Sequence, residues 1–551
     1  MGVLRRARGH WLFGLVLVAA LALRVLAALA FRPIMWFGGD SASYLATGLR
    51  LIPDPSRVGG YGFLLWALKP LHSLAAVAAV QHVMGLAVGA GVYLLARRWG
   101  LPAWAATLAS IPVLFDAYEL QLESDAVPDV PFVFMVVAAL YLLLRSPGQR
   151  RTAGRTAVAA FLLGGSALLW PVGLVLLAVL LVVLLGALLI RRAGTVTVLA
   201  ALLAGAAPVA GYSAWFSTHD HQFSLTRSDG VYLWSRTMSF ANCAVIKPPA
   251  GERVLCPPAG PRMAASLYIW DGNSPLLKLP GGRFSARTNR LALHFALRAI
   301  AAQPAGYAAA VGHDVALSFY WNRPVHPDAG IVDRYQFADA ATAWVPASMH
   351  TPGGGTVAGD QALYNGGRPA PTRAVQPYAR WLVDYQRYAY LPGTLLGVIL
   401  LAGLAGTVIR RRVRGVYGAF GPGLPWAFAV TILVVPPLVA DFDLRYLVPA
   451  VPVACLAAVL AWAPRPVPAD PAPADPAPAD PAPADPAPAD QRRWTTSAAA
   501  TGTVLAEKGP ADKGPAAETP AAEGPAAEAP AEGRTSSLPS ASTPTAKPDS
   551  A

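Results

Sequence analysis

The chain has 551 residues, of which 54% are hydrophobic and only 14% are charged. Soluble domains carry about 25% charged residues, so this composition excludes a soluble enzyme and indicates a polytopic membrane protein. The formal net charge of +13 does not indicate nucleic-acid binding, because many arginines lie in short clusters at the ends of apolar runs. Such clusters are typical of cytoplasmic loops, where they contact lipid headgroups.

The first apolar run, residues 11–31, is long enough to cross a bilayer, which needs about 20 apolar residues. It is too long for the apolar region of a signal peptide, and no cleavage site follows it, so we expect a retained helix. Three arginines at positions 5, 6 and 8 precede it, which predicts that it runs outward. The next loop would therefore place Asp40 at the extracytoplasmic surface of the membrane.

The remaining apolar runs predict nine further spans, with both ends of the chain in the cytoplasm. Two short surface helices are expected first, at residues 41–51 and 61–72, because prolines and glycines separate them. The further spans are predicted near 74–96, 103–117, 130–144, 157–170, 172–190, 196–216, 391–409, 424–440 and 447–463. The expected fold is an all-α integral membrane protein of about ten transmembrane helices.

Two other parts of the chain are predicted to lie outside the membrane. Residues 217–388 contain no convincing span and indicate an extracytoplasmic domain of mixed structure. Within it, Cys243 and Cys256 lie thirteen residues apart in an oxidising compartment, which favours a disulfide. Residues 464–551 begin with a Pro-Ala-Pro-Ala-Asp repeat and predict a disordered cytoplasmic tail. The predicted domains are 1–216 with a catalytic loop at 32–73, then 217–388, 389–463 and 464–551.

Polar residues from distant parts of the chain are predicted to emerge at one membrane face. The sequence contains no Walker loop, no dinucleotide fingerprint and no paired-cysteine motif that would indicate a soluble-enzyme site. Asp40 could act as a general base, or it could cap the helix that begins near Ser41. Arg445 could hold a phosphate through two parallel hydrogen bonds, or it could pair with Asp441 or Asp443.

Three residues inside the predicted spans also need an explanation. A cation such as Arg24 is costly in a membrane, so this residue is either functional or extends its side chain to the interface. Gln81 and His82, near the outer end of the second span, could face the same cleft or could join two helices. We predict no metal-binding residues from the sequence, and a divalent metal ion as a cofactor is kept as an alternative.

Several short motifs follow one another in a fixed order between residues 10 and 463. They are Gly39-Asp40-Ser41-x-x-Tyr44, Gln81-His82, Gln121-Leu122-Glu123 and Arg445-Tyr446-x-x-Pro449-x-x-Pro452. This order resembles the GT-C superfamily of polytopic glycosyltransferases. It is most similar to the bacterial protein-mannosyltransferase and aminoarabinose-transferase-like group, and there to an actinobacterial branch. Many members have two adjacent acids in the first loop, whereas here a serine follows the aspartate.

The resemblance implies a transferase that takes a sugar from a polyprenyl-phosphate carrier on the extracytoplasmic face of the plasma membrane. The acceptor would be an envelope glycan, a lipid or a protein, membrane lipids would surround the chain, and nucleic acid is not expected. The catalytic base would be Asp40, with Glu123 or Asp129 as the second acid. We expect Arg445, Arg24 and Tyr446 at the donor phosphate, and Tyr44, Gln81 and His82 in the acceptor cleft.

Two other classes of function stay open at this point. A lipid-linked glycan flippase or polymerase would also bind a polyprenyl carrier. Transporters, however, more often show internal repeats and helices broken at the midplane, and neither is clear in this sequence. The third class is a non-catalytic scaffold whose proline-rich tail recruits cytoplasmic partners.

Overall fold

The computed structural model describes residues 10–144, 152–341, 345–414 and 421–464, and for residues 410–414 it describes the backbone alone. The chain divides into two compact units, Met1–Asp470 and Pro471–Ala551, and the second unit lies wholly outside the described residues. The predicted tail, residues 464–551, also lies outside them, apart from Pro464.

The described residues of the first unit form almost entirely helices. The first ten of these described helices are α1 (Trp11–Ala30), α2 (Gly38–Arg50), α3 (Gly60–Leu68), α4 (Leu74–Arg98), α5 (Ala103–Phe115), α6 (Ala117–Ser124), α7 (Asp129–Leu143), α8 (Ala153–Ser166), α9 (Val172–Leu189) and α10 (Thr195–Asp220). Next come α11 (Asp229–Thr237), α12 (Cys243–Ile246), α13 (Leu267–Trp270), α14 (Ala286–Ala302), α15 (Pro304–Leu317), α16 (Ala329–Val332), α17 (Val357–Tyr364) and α18 (Tyr378–Gln386). The last four are α19 (Gly393–Arg414), α20 (Gly423–Val439), α21 (Leu444–Leu447) and α22 (Ala450–Ala461).

Short elements complete the described part of the chain. Four 3-10 turns occupy Lys69–Leu71, Ala250–Leu255, Pro275–Lys278 and Asp333–Tyr335. The strands are β1 (Phe31–Arg32), β2 (His350–Thr351), β3 (Gly355–Thr356) and β4 (Arg373–Ala374). They form two antiparallel pairs, β1 with β4 and β2 with β3, so the strand that leaves α1 is tied to the distant segment before α18.

Each of the ten predicted spans coincides with a helix. Within the described residues, five segments are long and apolar enough to cross a membrane: α1, α4, α9, α10 and the stretch Leu444–Ala461. The other five predicted spans coincide with shorter helices. Four of these are the apolar helices α5, α7, α19 and α20, and the remaining one is α8. Apolar side chains such as Val182, Leu189 and Leu203 are 69–75% exposed, as expected of a surface that faces lipid. The predicted class of all-α membrane protein is confirmed.

The last membrane segment lies at the centre of the helical bundle. In Leu444–Ala461, 83% of the residues are buried, compared with 17% in the apolar window of α10. Its apolar side chains pack against α4, α5, α19 and α20. Arg445 stands at the beginning of this central segment, so its side chain is directed into the protein and away from lipid.

The loop that follows α1 is joined directly to the loop that follows α6. Met35 N–H donates to the carbonyl of Ser124 at 2.8 Å, and Ala126 N–H donates to the carbonyl of Met35 at 3.1 Å. Gly38 then adopts a positive φ of 56°, a conformation that glycine takes without a steric cost, and the chain turns there into α2. These contacts bring the beginning of α2 beside the beginning of α7.

Within the segment 217–388, residues 231–299 share a hydrophobic core that is separate from the core of the membrane helices. Its largest buried side chains include Trp234 on α11 and Phe295 on α14, both with no exposed surface. A disulfide joins Cys243 to Cys256, with the two Cα atoms 6.1 Å apart. This bond closes the loop that packs over the core.

Contacts from this segment also hold the loop that precedes α21. Arg236 pairs with Asp314 and donates to the carbonyl of Ala440 at 3.2 Å. The N–H of Ser266 donates to the carboxylate of Asp441 at 2.9 Å. The loop that leads to Arg445 is therefore positioned by side chains from α11 and α15 and by a backbone N–H just before α13.

Candidate active site

Arg445 lies between two carboxylates that come from opposite ends of the sequence. Its Nε and Nη2 donate to the two oxygens of Asp129 at 3.2 and 2.7 Å, and its Nη1 donates to Asp40 Oδ2 at 2.9 Å. The side chain of Arg445 is only 11% exposed, so these charge-assisted bonds form with little water present. Asp129 therefore orients the guanidinium, and Asp40 contacts its remaining edge.

A second arginine contacts the other oxygen of Asp40. Arg57, in the loop between α2 and α3, forms an ion pair with Asp40 Oδ1 through its Nη1. Its guanidinium lies 5.8 Å from the ring centres of both Tyr44 and Trp270, within the range of a cation–π contact. Asp40 is thus held between two cations, and with 32% of its side chain exposed it is the most accessible member of the group.

The charges around Asp40 determine its protonation state. Burial favours the neutral acid, but the guanidinium groups of Arg57 and Arg445 outweigh burial and hold the pKa of Asp40 below its ordinary value of 3.8. The carboxylate is therefore ionised at neutral pH. A low pKa also makes it a weak base for as long as both arginines remain in contact with it.

Asp443 has the opposite electrostatic environment, although it is only two residues from Arg445. Burial raises the pKa of Asp443 to about 7, and the neighbouring Tyr335 and Arg445 oppose this only in part. Within the described residues, neither Asp443 Oδ1 nor the Tyr335 hydroxyl has a hydrogen-bond partner of good geometry. Asp443 therefore changes its charge near neutral pH.

Glu123 belongs to a separate, fully buried cluster between α1, α4 and α6. Its Oε1 accepts from Nη2 of Arg24 at 2.6 Å, and its Oε2 is 2.9 Å from Nδ1 of His82. Arg24 also donates to the carbonyl of Leu114 at 2.6 Å. Exposure is 0% for Glu123 and 2% for Arg24, so the pair is shielded from water. The structure does not bring Arg24 and Arg445 into one cluster.

The other residues predicted for the site have identifiable contacts. The amide of Gln81 donates to the carbonyls of Glu123 and Asp125 at 2.9 and 2.7 Å, so it fixes the loop before α7. Tyr44 is buried and packs edge-on against Tyr61. Tyr446 stacks on Trp170 with the ring centres 5.0 Å apart. Of the predicted site residues, Asp40, Asp129 and Arg445 form one connected ionic group. Tyr44 contacts this group through the cation–π interaction of its ring with Arg57.

The structure rules out two of the alternatives that the sequence left open. Asp40 is not a helix cap, because α2 begins at Gly38 and its N-cap is Phe37, whose N–H donates to Ser41 Oγ at 2.8 Å. Asp40 lies in the first turn, where its carboxylate is free to contact the arginines. Arg445 does not pair with Asp441 or Asp443, since its partners are Asp129 and Asp40.

Arg57 is not among the site residues predicted from the sequence, although a signal for it is present. Basic residues are less expected on the outer side of a membrane protein, and this argument singled out Arg445. Arg57 lies in a loop predicted to be on the same side, so the argument applies to it equally. Nothing in the local sequence, however, indicates which carboxylate it contacts.

The acids that surround Arg445 are paired with arginine side chains. Within the described residues, no group of three His, Cys, Asp or Glu side chains is placed to hold a metal ion. The two nearest acids, Asp40 and Asp129, share Arg445, which neutralises the charge that would attract a cation.

Comparison with known proteins identified similar structures only. No protein-family model matches the chain, and no curated protein matches its sequence. The S. cerevisiae protein O-mannosyltransferase Pmt1-Pmt2 complex bound to the sugar donor is similar at 15% identity over 41% of this chain and 36% of that chain, with a TM-score of 0.28.

Two further structures are similar over more of the chain. The oligosaccharyltransferase AglB from Archaeoglobus fulgidus, in complex with an inhibitory peptide and a dolichol-phosphate, is 14% identical over 83% of this chain and 50% of that chain, with a TM-score of 0.36. ArnT from Cupriavidus metallidurans bound to undecaprenyl phosphate is 15% identical over 82% of this chain and 78% of that chain, with a TM-score of 0.34. The chain thus spans half or less of the first two proteins, and all three TM-scores are too low to transfer a function.

Proposed function

We propose that this protein is a glycosyltransferase of the plasma membrane that moves a sugar from a polyprenyl-phosphate carrier to an extracytoplasmic acceptor. The observation that supports it is the position of Asp40, a partly exposed carboxylate between two arginines at the edge of an apolar bundle. Transfer from a lipid phosphate needs a base beside an anion site, together with an apolar surface for the lipid. The motif residues Asp40 and Arg445 belong to one connected group.

In the proposed reaction, Asp40 takes the proton of an acceptor hydroxyl as that oxygen attacks the anomeric carbon of the sugar. The bond between the anomeric carbon and the phosphate oxygen breaks, and its electron pair leaves with the polyprenyl phosphate. Arg445 stabilises the negative charge that develops on the departing phosphate. Asp129 acts through Arg445 by keeping its guanidinium in position.

The two remaining sets of predicted site residues have different roles in this proposal. Glu123, Arg24, Gln81 and His82 support the site from inside the bundle, because their polar atoms contact one another and neighbouring backbone carbonyls. The segment 217–388 shapes the acceptor site, since it holds the loop that leads to Arg445. The acceptor is an envelope glycan, a lipid or a protein.

The proposal is tested with purified protein in lipid nanodiscs. Polyprenyl-phosphate-linked hexoses and pentoses are supplied together with an extract of envelope acceptors, and released polyprenyl phosphate is measured by chromatography. Asp40→Asn keeps the shape of the side chain but cannot accept the proton, so release should fall by about 10²–10⁴-fold. Arg445→Lys keeps the charge but loses the planar fork, so donor affinity should fall by about tenfold or more.

A matched control removes a different ion pair from the same helix. Arg50 on α2 pairs with Asp360, and neither residue contacts the Asp40 group. Arg50→Gln should therefore leave release per folded molecule within about twofold of the wild type, because Arg50 lies outside the Asp40 group. It should lower the unfolding midpoint, since it leaves the buried carboxylate of Asp360 without its cation. Wild-type protein that releases no polyprenyl phosphate from any donor would refute the proposal. In that case, lipid-linked glycan retained inside a deletion strain would favour a flippase.

A further inference from the structure

Arg57 and Arg445 differ in how many of their guanidinium nitrogens already donate hydrogen bonds. Arg445 donates through Nε, Nη1 and Nη2 to two carboxylates. Arg57 contacts Asp40 through Nη1 and donates from Nε to Ser56 Oγ at 3.2 Å. Within the described residues, its Nη2 makes no hydrogen bond. Arg57 therefore has more unused donor capacity than Arg445, on a side chain that is 14% exposed.

The carboxylate nearest to Arg57 besides Asp40 is already satisfied. Asp54 accepts from the N–H and the hydroxyl of Ser56 at 2.7 and 2.6 Å, and from the hydroxyl of Ser43. These hydrogen bonds fix the loop that carries Arg57. They also leave Asp40 as the group that an incoming anion would displace from Arg57.

We propose, on the premise of the proposed function, that Arg57 is a second ligand for the donor phosphate and that it restrains Asp40 until the donor binds. A phosphate carries more charge and more acceptor oxygens than a carboxylate, so it competes effectively for a guanidinium. When phosphate takes Nη1 and Nη2 of Arg57, Asp40 loses one of its two cations. The carboxylate then becomes a stronger base beside the bound sugar, and the donor must bind before the acceptor can be activated.

Binding of farnesyl phosphate, measured by native mass spectrometry on the full chain, tests this proposal. Farnesol is the control for the lipid chain without phosphate, and inorganic phosphate is the control for the anion without lipid. Wild-type protein should bind farnesyl phosphate more tightly than either control. Arg57→Gln should weaken farnesyl phosphate binding by about 10–100-fold and leave farnesol binding unchanged, because it removes charge-assisted hydrogen bonds. Arg57→Lys should lie in between, and Arg50→Gln should match the wild type.

Asp40→Asn tests whether Arg57 restrains Asp40 in addition to binding the phosphate. If Asp40 competes with phosphate for Arg57, this variant should bind farnesyl phosphate several-fold more tightly than wild type. In the Arg57→Gln background, most of that gain should disappear, because the two residues act through one contact. A cooperative thermal unfolding transition in each variant establishes that all of them are folded.

The results that would overturn the inference differ from those that would overturn the function. Arg57→Gln with normal farnesyl phosphate affinity, alongside weakened binding by Arg445→Lys, would remove Arg57 from the phosphate site and leave the proposed function intact. A gain from Asp40→Asn that is equal with and without Arg57 would show through-space repulsion instead of restraint. Equal affinity of the wild type for farnesyl phosphate and farnesol would overturn both proposals.

Discussion

Glu123 is predicted to stabilise the bundle and to take no part in proton transfer, and this can be tested by Glu123→Gln. The substitution keeps the size of the side chain but removes the negative charge between Arg24 and His82. Arg24 is only 2% exposed, so its charge would be left buried without a partner. Breaking a buried pair in this way costs about 3–5 kcal/mol, which agrees with the loss of two charge-assisted hydrogen bonds at about 1.5–3 kcal/mol each.

Gly85→Ala provides a steric test of the same cluster. A Cβ at this position would lie 1.9 Å from Glu123 Oε1 and 2.4 Å from its Cδ, so the carboxylate would have to move away from Arg24. Gly14→Ala on α1 is the matched control, because a Cβ there meets no atom within 4 Å. That control should be neutral or should stabilise the helix by up to about 1 kcal/mol, since alanine has the higher helix propensity.

The assay compares thermal unfolding in detergent with the turnover of the folded fraction. Glu123→Gln and Gly85→Ala should both lower the unfolding midpoint, while turnover per folded molecule stays within about tenfold of the wild type. Loss of a general base lowers turnover by about 10²–10⁴-fold, so the two roles are well separated. Glu123→Gln with an unchanged midpoint and a hundredfold loss of turnover would refute this reasoning and make Glu123 a candidate for the base.

Three further predictions concern parts of the chain around the site. Replacing Cys243 and Cys256 together by serine should lower the free energy of local unfolding of residues 231–299, whose core the disulfide supports, by about 2–4 kcal/mol. Limited proteolysis measures this change, and unchanged protease resistance would contradict it. Burial raises the pKa of Asp443 to about 7 from an ordinary 3.8, so the folded state holds this proton more tightly than the unfolded chain. The thermal unfolding midpoint should therefore fall as the pH rises from 3.8 to about 7. Asp443→Asn should remove this pH dependence of the midpoint. Tyr388→Cys, at a position 86% exposed, should react with an impermeant maleimide in intact cells, whereas Ile190→Cys should react only after permeabilisation; the reverse pattern would invert the predicted topology.

The sequence by itself determined the class of fold and the location of the spanning helices. A membrane interior offers no partner for backbone polar groups, so long apolar runs must form helices, and such runs can be recognised locally. Each predicted span coincides with a helix for this reason. Local chemistry also identified Asp40 and Arg445 as unusual polar residues beside apolar runs, because their cost near lipid does not depend on the rest of the fold.

Only the tertiary structure decided which polar residues act together. Arg445 lies 316 residues from Asp129 and 405 residues from Asp40, whereas the partners considered from the sequence were its neighbours Asp441 and Asp443. In α21 the side chain of Arg445 is directed into the bundle. There, the joined loops after α1 and α6 place the carboxylates of Asp40 and Asp129 beside it. Ion pairing depends on distance in space, and packing between remote segments sets that distance. The same packing brought Arg57 to Asp40.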